Sequence, residues 1–132
     1  MEFPEFAPGM NARVELTVTD ADTAQSIGSG DVPVLGTPRL LALAEAATVA
    51  ATARQIPGGV TTVGSRAEIE HRAPTPVGRT VAATATLTKV DGRTLVFDVT
   101  VQDRGAIVAE VRVERILVDR QSFISRSERP IG

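Results

Sequence analysis

The stretch "TPRLLALAEAATVAATARQIPGG", residues 37 to 59, constrains the fold of this chain more than any other segment. Leucine and alanine fill its body, Thr37 reads as an N-cap, Pro38 suits the first helical position, and "IPGG" ends the run. The resulting helix is apolar on most of its circumference, so other structure has to wrap it. Along one stripe, Glu45, Thr48 and Thr52 follow one another at spacings of three and four. Such a seam suits either a solvent-facing stripe or a polar cleft at a subunit boundary, because an ionised carboxylate inside an apolar shell is costly unless paired.

What wraps the helix is β. Residues 12 to 20 alternate Val14, Leu16 and Val18 against polar partners and predict a half-buried strand. After the helix come strand candidates at 60–72, 79–90, 93–103 and 106–119, the last three joined by Asp91-Gly92 and Arg104-Gly105 turns. Pro74 and Pro76 close the first of these four. The Gly- and Ser-rich stretch 21–36 reads as irregular loop, and the polar tail 120–132 as loosely ordered. The order β-α-β-β-β-β predicts an α+β fold in which a curved antiparallel sheet wraps one long central helix. At 132 residues, with 42% hydrophobic and 23% charged, residues 1–132 read as a single domain.

Composition narrows the chemistry. With no cysteine and one histidine, thiolate nucleophiles, disulfides and multi-imidazole metal sites are outside this chain's repertoire. Scattered basic residues and a net charge of −2 argue against nucleic acid or an anionic membrane as partner. The N-terminus lacks the pattern of a signal peptide, and the longest apolar run is too short to span a bilayer, so a cytoplasmic location is expected. No phosphate-cradling glycine motif is present. Catalysis would fall to carboxylates, hydroxyls, one imidazole, arginines and backbone dipoles.

Three segments in this order, "GTPRLLALAEAA", "TTVGSRAEIEHRAPTPVG" and "VRVERILVD", resemble the fluoroacetyl-CoA thioesterase family of the hotdog fold, over about Gly30 to Asp119. The resemblance implies acyl-CoA thioester hydrolysis at a site carried by Thr37, Glu45 and His71, with Gly64 and Arg115 beside the substrate or its oxyanion. It also implies a homodimer, with a tetramer left open, a site between subunits, and coenzyme A as part of the substrate, with no metal or other cofactor. The fluoroacetyl-selective form carries phenylalanines in a lid before the helix; the corresponding "TAQSIGSGDVPVLG" has no aromatic residue, so the resemblance implies thioesterase chemistry on a small or short-chain acyl group and gives no support for fluorine selectivity.

Each residue has a plainer reading as well. Thr37 is accounted for as an N-cap, although a helix start also offers N–H groups to an oxyanion. Glu45 and Arg115 suit exposed positions, Gly64 a bulge, and His71 a polar strand end. His71 gains weight as the sole imidazole, hence the natural general base near neutral pH. In that mechanism Glu45 orients His71 or attacks the thioester, and Thr37 places the reacting group. Arg39, Arg54, Arg66, Arg72 and Arg79 are equally open to coenzyme phosphates. Two other functions share this fold: a non-catalytic acyl-CoA binding module, and a hydratase or dehydratase acting on enoyl-CoA.

Overall fold

The alternating stretches become strands: β1 (Asn11–Thr17), β2 (Val60–His71), β3 (Thr80–Asp91), β4 (Thr94–Asp103) and β5 (Ala106–Asp119), in a computed structural model that describes residues 5–131. They form one antiparallel sheet in the order β1-β3-β4-β5-β2, so β1 and β2 are its edges. Tight turns make the β3–β4–β5 meander possible. Gly92 sits at φ 59°, and Arg104 and Gly105 at φ 54° and 81°, the left-handed conformations that two-residue hairpins demand.

The long helix, α2 (Thr37–Thr52), lies across this sheet. Its Leu40, Leu43, Ala44 and Ala47 pack into a core with Ala83, Ala85 and Leu87 of β3 and Leu95 and Phe97 of β4. Small residues on both surfaces let the helix approach the sheet closely, and Phe97 is fully buried beneath it. Burying one such side chain stabilises the fold by roughly 1.5–3 kcal/mol. The face of α2 turned away from the sheet carries Pro38, Ala42, Ala46, Val49 and Ala50, all exposed. No helix among the described residues is long and apolar enough to cross a membrane.

Three expectations from the sequence are corrected. Thr48 and Thr52 do not extend the Glu45 seam as an open polar stripe: they are 0% and 2% exposed within the chain's own core. Thr48 Oγ1 donates to the Glu45 carbonyl at 2.6 Å, so its polarity is satisfied inside the helix and it packs as an apolar residue would. The stretch before α2 is ordered rather than irregular, with a 3-10 turn at Asp20–Asp22 and a short helix, α1 (Ala24–Ile27). Bridges Thr23↔Leu35 and Val34↔Pro76 then tie it to its surroundings. In the tail, α3 (Arg120–Ser127) forms because Asp119 caps it, its Oδ1 accepting the Ser122 N–H at 2.9 Å.

One irregularity decides the geometry of β2. Gly64 pairs with Arg115, but Arg66 pairs with Glu114, so Ser65 is an extra residue bulged from the strand. Before the bulge, even-numbered residues face α2; after it, odd-numbered ones do, as the pairing of Ala67, Ile69 and His71 with buried Val113, Val111 and Ala109 requires. Residues seven apart on a regular strand face opposite ways. The bulge puts Gly64 and His71 on one face.

Candidate active site

Two groups of the sequence-predicted residues assemble, and they are separate. The first lies where α2 begins. Gly36, not Thr37, is the N-cap, and Thr37 is the first helical residue, followed by Pro38. Freed from capping, Thr37 Oγ1 is 2.8 Å from His71 Nδ1 at the end of β2. Only glycine fits at position 36, because a Cβ there would lie 2.7 Å from Ile27 Cδ1 and 3.1 Å from Ala24 Cα. The sequence pointed to the other capping choice because threonine is the better cap by propensity; close packing of α1 against the helix start overrides it.

The His71 ring is half-buried, and its Nε2 is enclosed without a hydrogen bond among the described residues. Desolvation holds its pKa below the ordinary 6.5, offset in part by the Ala73 backbone, so the ring is neutral at neutral pH. A neutral imidazole facing a hydroxyl through Nδ1 is able to take that hydroxyl's proton. The N–H groups of Thr37 and Arg39 lie at the positive end of the helix dipole and have no backbone acceptor among the described residues. A cavity of about 260 Å³ opens beside them, lined by Ala24, Val32, Val34, Leu35 and Pro74 along with Thr37 and His71.

That cavity's wall is fastened by a pair the sequence reading passed over. Asp22 Oδ1 accepts from Arg39 Nε at 3.0 Å, and Oδ2 accepts from the Thr19 N–H at 2.8 Å and its hydroxyl at 2.9 Å. The Thr19 backbone donor is the main reason that the carboxyl is held below its usual range. Thr19 and Asp22 form a capping box, a spacing that was readable in "TDAD".

The second group lies two turns along α2. Glu45 Oε2 is 3.2 Å from Arg115 Nη1 on β5 and packs against Gly64, where a Cβ would stand 2.5 Å from it. Arg115 faces the helix and is 7% exposed. Thr62 holds the guanidinium from below, its hydroxyl accepting from Nε at 2.9 Å and its carbonyl from Nη2 at 3.0 Å. Burial lowers the Arg115 pKa, against which Glu45 acts, and the group stays a cation. The Glu45 side chain is nevertheless 39% exposed, and its Oε1 makes no hydrogen bond among the described residues. No sequence signal distinguishes Thr62 as the support of this arginine.

Within one chain the two groups do not meet. Thr37 and Glu45 are eight residues apart on α2, roughly 12 Å along its axis. So Glu45 does not orient the His71 of its own chain. His71, by contrast, touches Thr37 within the same chain. Of the five arginines considered for coenzyme phosphates, Arg39, Arg66, Arg72 and Arg79 are engaged by carboxylates, and Arg54 forms no ion pair among the described residues.

A long central helix cradled by a five-stranded antiparallel sheet in the order β1-β3-β4-β5-β2 defines a hotdog-fold protein. Residues 18–121 match the family described as FlK, fluoroacetyl-CoA-specific thioesterase, and the chain belongs to that family of thioester hydrolases. The fluoroacetyl-CoA thioesterase FlK itself superposes with a TM-score of 0.86 at 26% identity, covering 96% of this chain and 99% of its own. A hot-dog-like protein from Thermanaerovibrio acidaminovorans gives 0.86 and 26%, covering 96% and 95%. A thioesterase superfamily member from Thermus thermophilus has the same fold, with a TM-score of 0.84 at 23% identity over 90% of this chain and 88% of that one. No curated protein sequence matches the chain.

Proposed function

We propose that this protein hydrolyses a small or short-chain acyl-CoA thioester at a site composed from two copies of the chain. The observation that carries the reading is the Thr37–His71 hydrogen bond at the start of α2, with a reachable carboxylate, Glu45, held on the same helix but too far to join it. Related structures support the substrate class: a variant of FlK is known in complex with fluoroacetate and CoA.

Symmetry supplies the missing contact. β2 is a free sheet edge, and the adjoining face of α2 is exposed and small-residued, both features that pairing with a second copy would cover. A two-fold axis past Leu41 relates the positions of Thr37 and Glu45, and one past the Ala67–Glu68 bond relates Gly64 and His71. A single isologous contact satisfies both, bringing the Glu45 of one copy to the Thr37–His71 pair of the other. The dimer buries the exposed alanines and completes two equivalent sites.

In the complete site the thioester carbonyl lies over the start of α2, its oxygen directed at the Thr37 and Arg39 N–H groups, which hold the oxyanion. Glu45 of the second copy, fixed through Oε2 by Arg115 and free at Oε1, attacks the carbonyl carbon. The carbon–sulfur bond breaks, and coenzyme A leaves as thiolate from an acyl–glutamyl anhydride. The Thr37 hydroxyl then relays a proton from water to Nδ1 of neutral His71 as the water adds to the anhydride, which releases the acid and restores Glu45, and His71 passes that proton to the coenzyme A thiolate. The cavity's size and its mixed lining, Ala24, Val32, Val34, Leu35 and Pro74 together with Ser29 and Arg72, suit a compact acyl group.

Mixing two inactive variants tests the composition of the site. Thr37→Val and Glu45→Gln should each release little thiol from a panel of short acyl-CoAs. Co-refolded in equal amounts, they should recover about a quarter of wild-type activity, since half of the random dimers are mixed and each of those has one intact site. Recovery of nothing from the mixture, with each variant folded, would place Thr37 and Glu45 in one chain's site.

A further inference from the structure

Of the arginines in this chain, Arg13, Arg39, Arg66, Arg72, Arg79, Arg112 and Arg115 each form an ion pair with a carboxylate. Arg54, Arg104, Arg120, Arg126 and Arg129 form none among the described residues, and two of these, Arg126 and Arg129, line one groove at the C-terminal end of β5. Arg93 lines it too, with Val118, Ser122 and Phe123, around a volume of about 470 Å³. The one carboxylate among its described lining residues, Asp119, is occupied in capping α3 through the Ser122 N–H. The Arg126 guanidinium lies over the Phe123 ring, 5.4 Å from its centroid, so a flat aromatic surface adjoins the positive charge. In a chain with a net charge of −2, the guanidiniums of Arg126 and Arg129, neither paired with a carboxylate among the described residues, make this groove an anion-binding feature built locally.

We infer that this groove takes the phosphorylated nucleotide end of the coenzyme A thioester, a reading that rests on the proposed function. The route to it is open. Thr62, which supports Arg115, also lines a second groove of about 390 Å³ that continues past Thr61 and Gly59 to Arg120. Arg120 begins α3, its N–H donating to the Gly59 carbonyl at 2.9 Å, and the arginine groove lies along the same helix. From Arg115 to Asp119 is four strand residues, roughly 13 Å, a span that the extended pantetheine arm bridges. Val118 faces away from α2, so the coenzyme rounds the end of the sheet, its thioester on the helix side and its phosphates against Arg126 and Arg129. Arginine forks match phosphate oxygens in pairs, and Phe123 offers its face to the adenine.

The test separates the nucleotide from the thioester. An acyl-CoA and the same acyl group on N-acetylcysteamine, which has no phosphate, are compared as substrates for wild type and Arg126→Glu/Arg129→Glu. The double variant should raise KM for the acyl-CoA roughly tenfold or more, as expected for losing two charge-assisted contacts, with kcat within about twofold. Turnover of the truncated thioester should not change, and Arg126→Lys/Arg129→Lys should restore much of the affinity. Adenosine 3′,5′-bisphosphate should compete with acyl-CoA for wild type and not for the charge-reversed variant. An unchanged KM for acyl-CoA, or equal losses on both thioesters, overturns the assignment. If wild type cleaves neither thioester, the hydrolase reading falls separately. The groove is then judged by calorimetry with free coenzyme A, whose binding must be lost in the charge-reversed variant for the assignment to stand.

Discussion

Gly64→Ala is a sharp perturbation because the structure gives its size. The added Cβ would lie 2.5 Å from Glu45 Oε2 and 3.5 Å from Arg115 Nη1, while ordinary contact begins at 3.4 Å. The carboxylate must therefore retreat by about 0.9 Å, the difference between 3.4 and 2.5 Å. Glu45 is flexible and partly exposed, so the fold gives way easily, and the stability change should stay within about 1 kcal/mol. Reactivity tolerates such a shift poorly: about 1 Å of misplacement costs on the order of a hundredfold in rate. Thiol release should show kcat down by roughly 10- to 100-fold with the melting temperature nearly unchanged. The cause is checked by repeating the substitution in a Glu45→Asp background, where the shorter side chain clears the new methyl and the further loss should be small. Strict additivity of the two substitutions, or a Gly64→Ala enzyme as fast as wild type, would refute the steric reasoning.

Two further outcomes are expected. Because desolvation lowers the His71 pKa and the neutral ring is the active form, the acid limb of kcat/KM should have its midpoint below pH 6.5 and vanish with His71→Ala. The sign for stability is the reverse of a paired histidine: the unfolded chain takes up the proton first, so stability falls as pH drops below 6.5 and levels off beneath the folded value, a slope that His71→Ala removes in pH-dependent denaturation. Asp22→Asn weakens three hydrogen bonds at the cavity wall and should cost about 1–2 kcal/mol in urea titrations. Since Asp22 is held below its ordinary value, its contribution is complete above pH 3.8 and is lost as pH falls through the folded value, so the cost of Asp22→Asn should shrink in acid.

The fold was legible where one physical signal dominated. The apolar body of α2 and the alternation of β3, β4 and β5 each have a single reading, and the Asp91-Gly92 turn fixes its hairpin. Failures came where a polar side chain satisfies itself locally. Thr48 is as buried as leucine because its hydroxyl returns to the Glu45 carbonyl, and Asp119, a strand end as read, also caps the helix that the polar tail did not announce. For the candidate site, resemblance named Thr37, Glu45, His71, Gly64 and Arg115, but spacing alone does not disclose their grouping. The Glu45–Arg115 pair joins residues 70 apart, and the Thr37–His71 pair joins residues 34 apart. Nor does any pattern in "TVGSRAEIEH" announce that Ser65 is surplus to the ladder.

That surplus residue gives β2 something like a reading frame. Substituting Ser65 costs little more than its hydroxyl contact with the Glu114 carbonyl at 3.2 Å. Deleting it rotates every residue on one side of the gap by half a turn, so either Gly64 or His71 leaves the helix side of the sheet. In a strand that tolerates exchange of letters, the count of letters between Gly64 and His71 is the heritable quantity. Homologues are expected to vary freely at position 65 while keeping its presence.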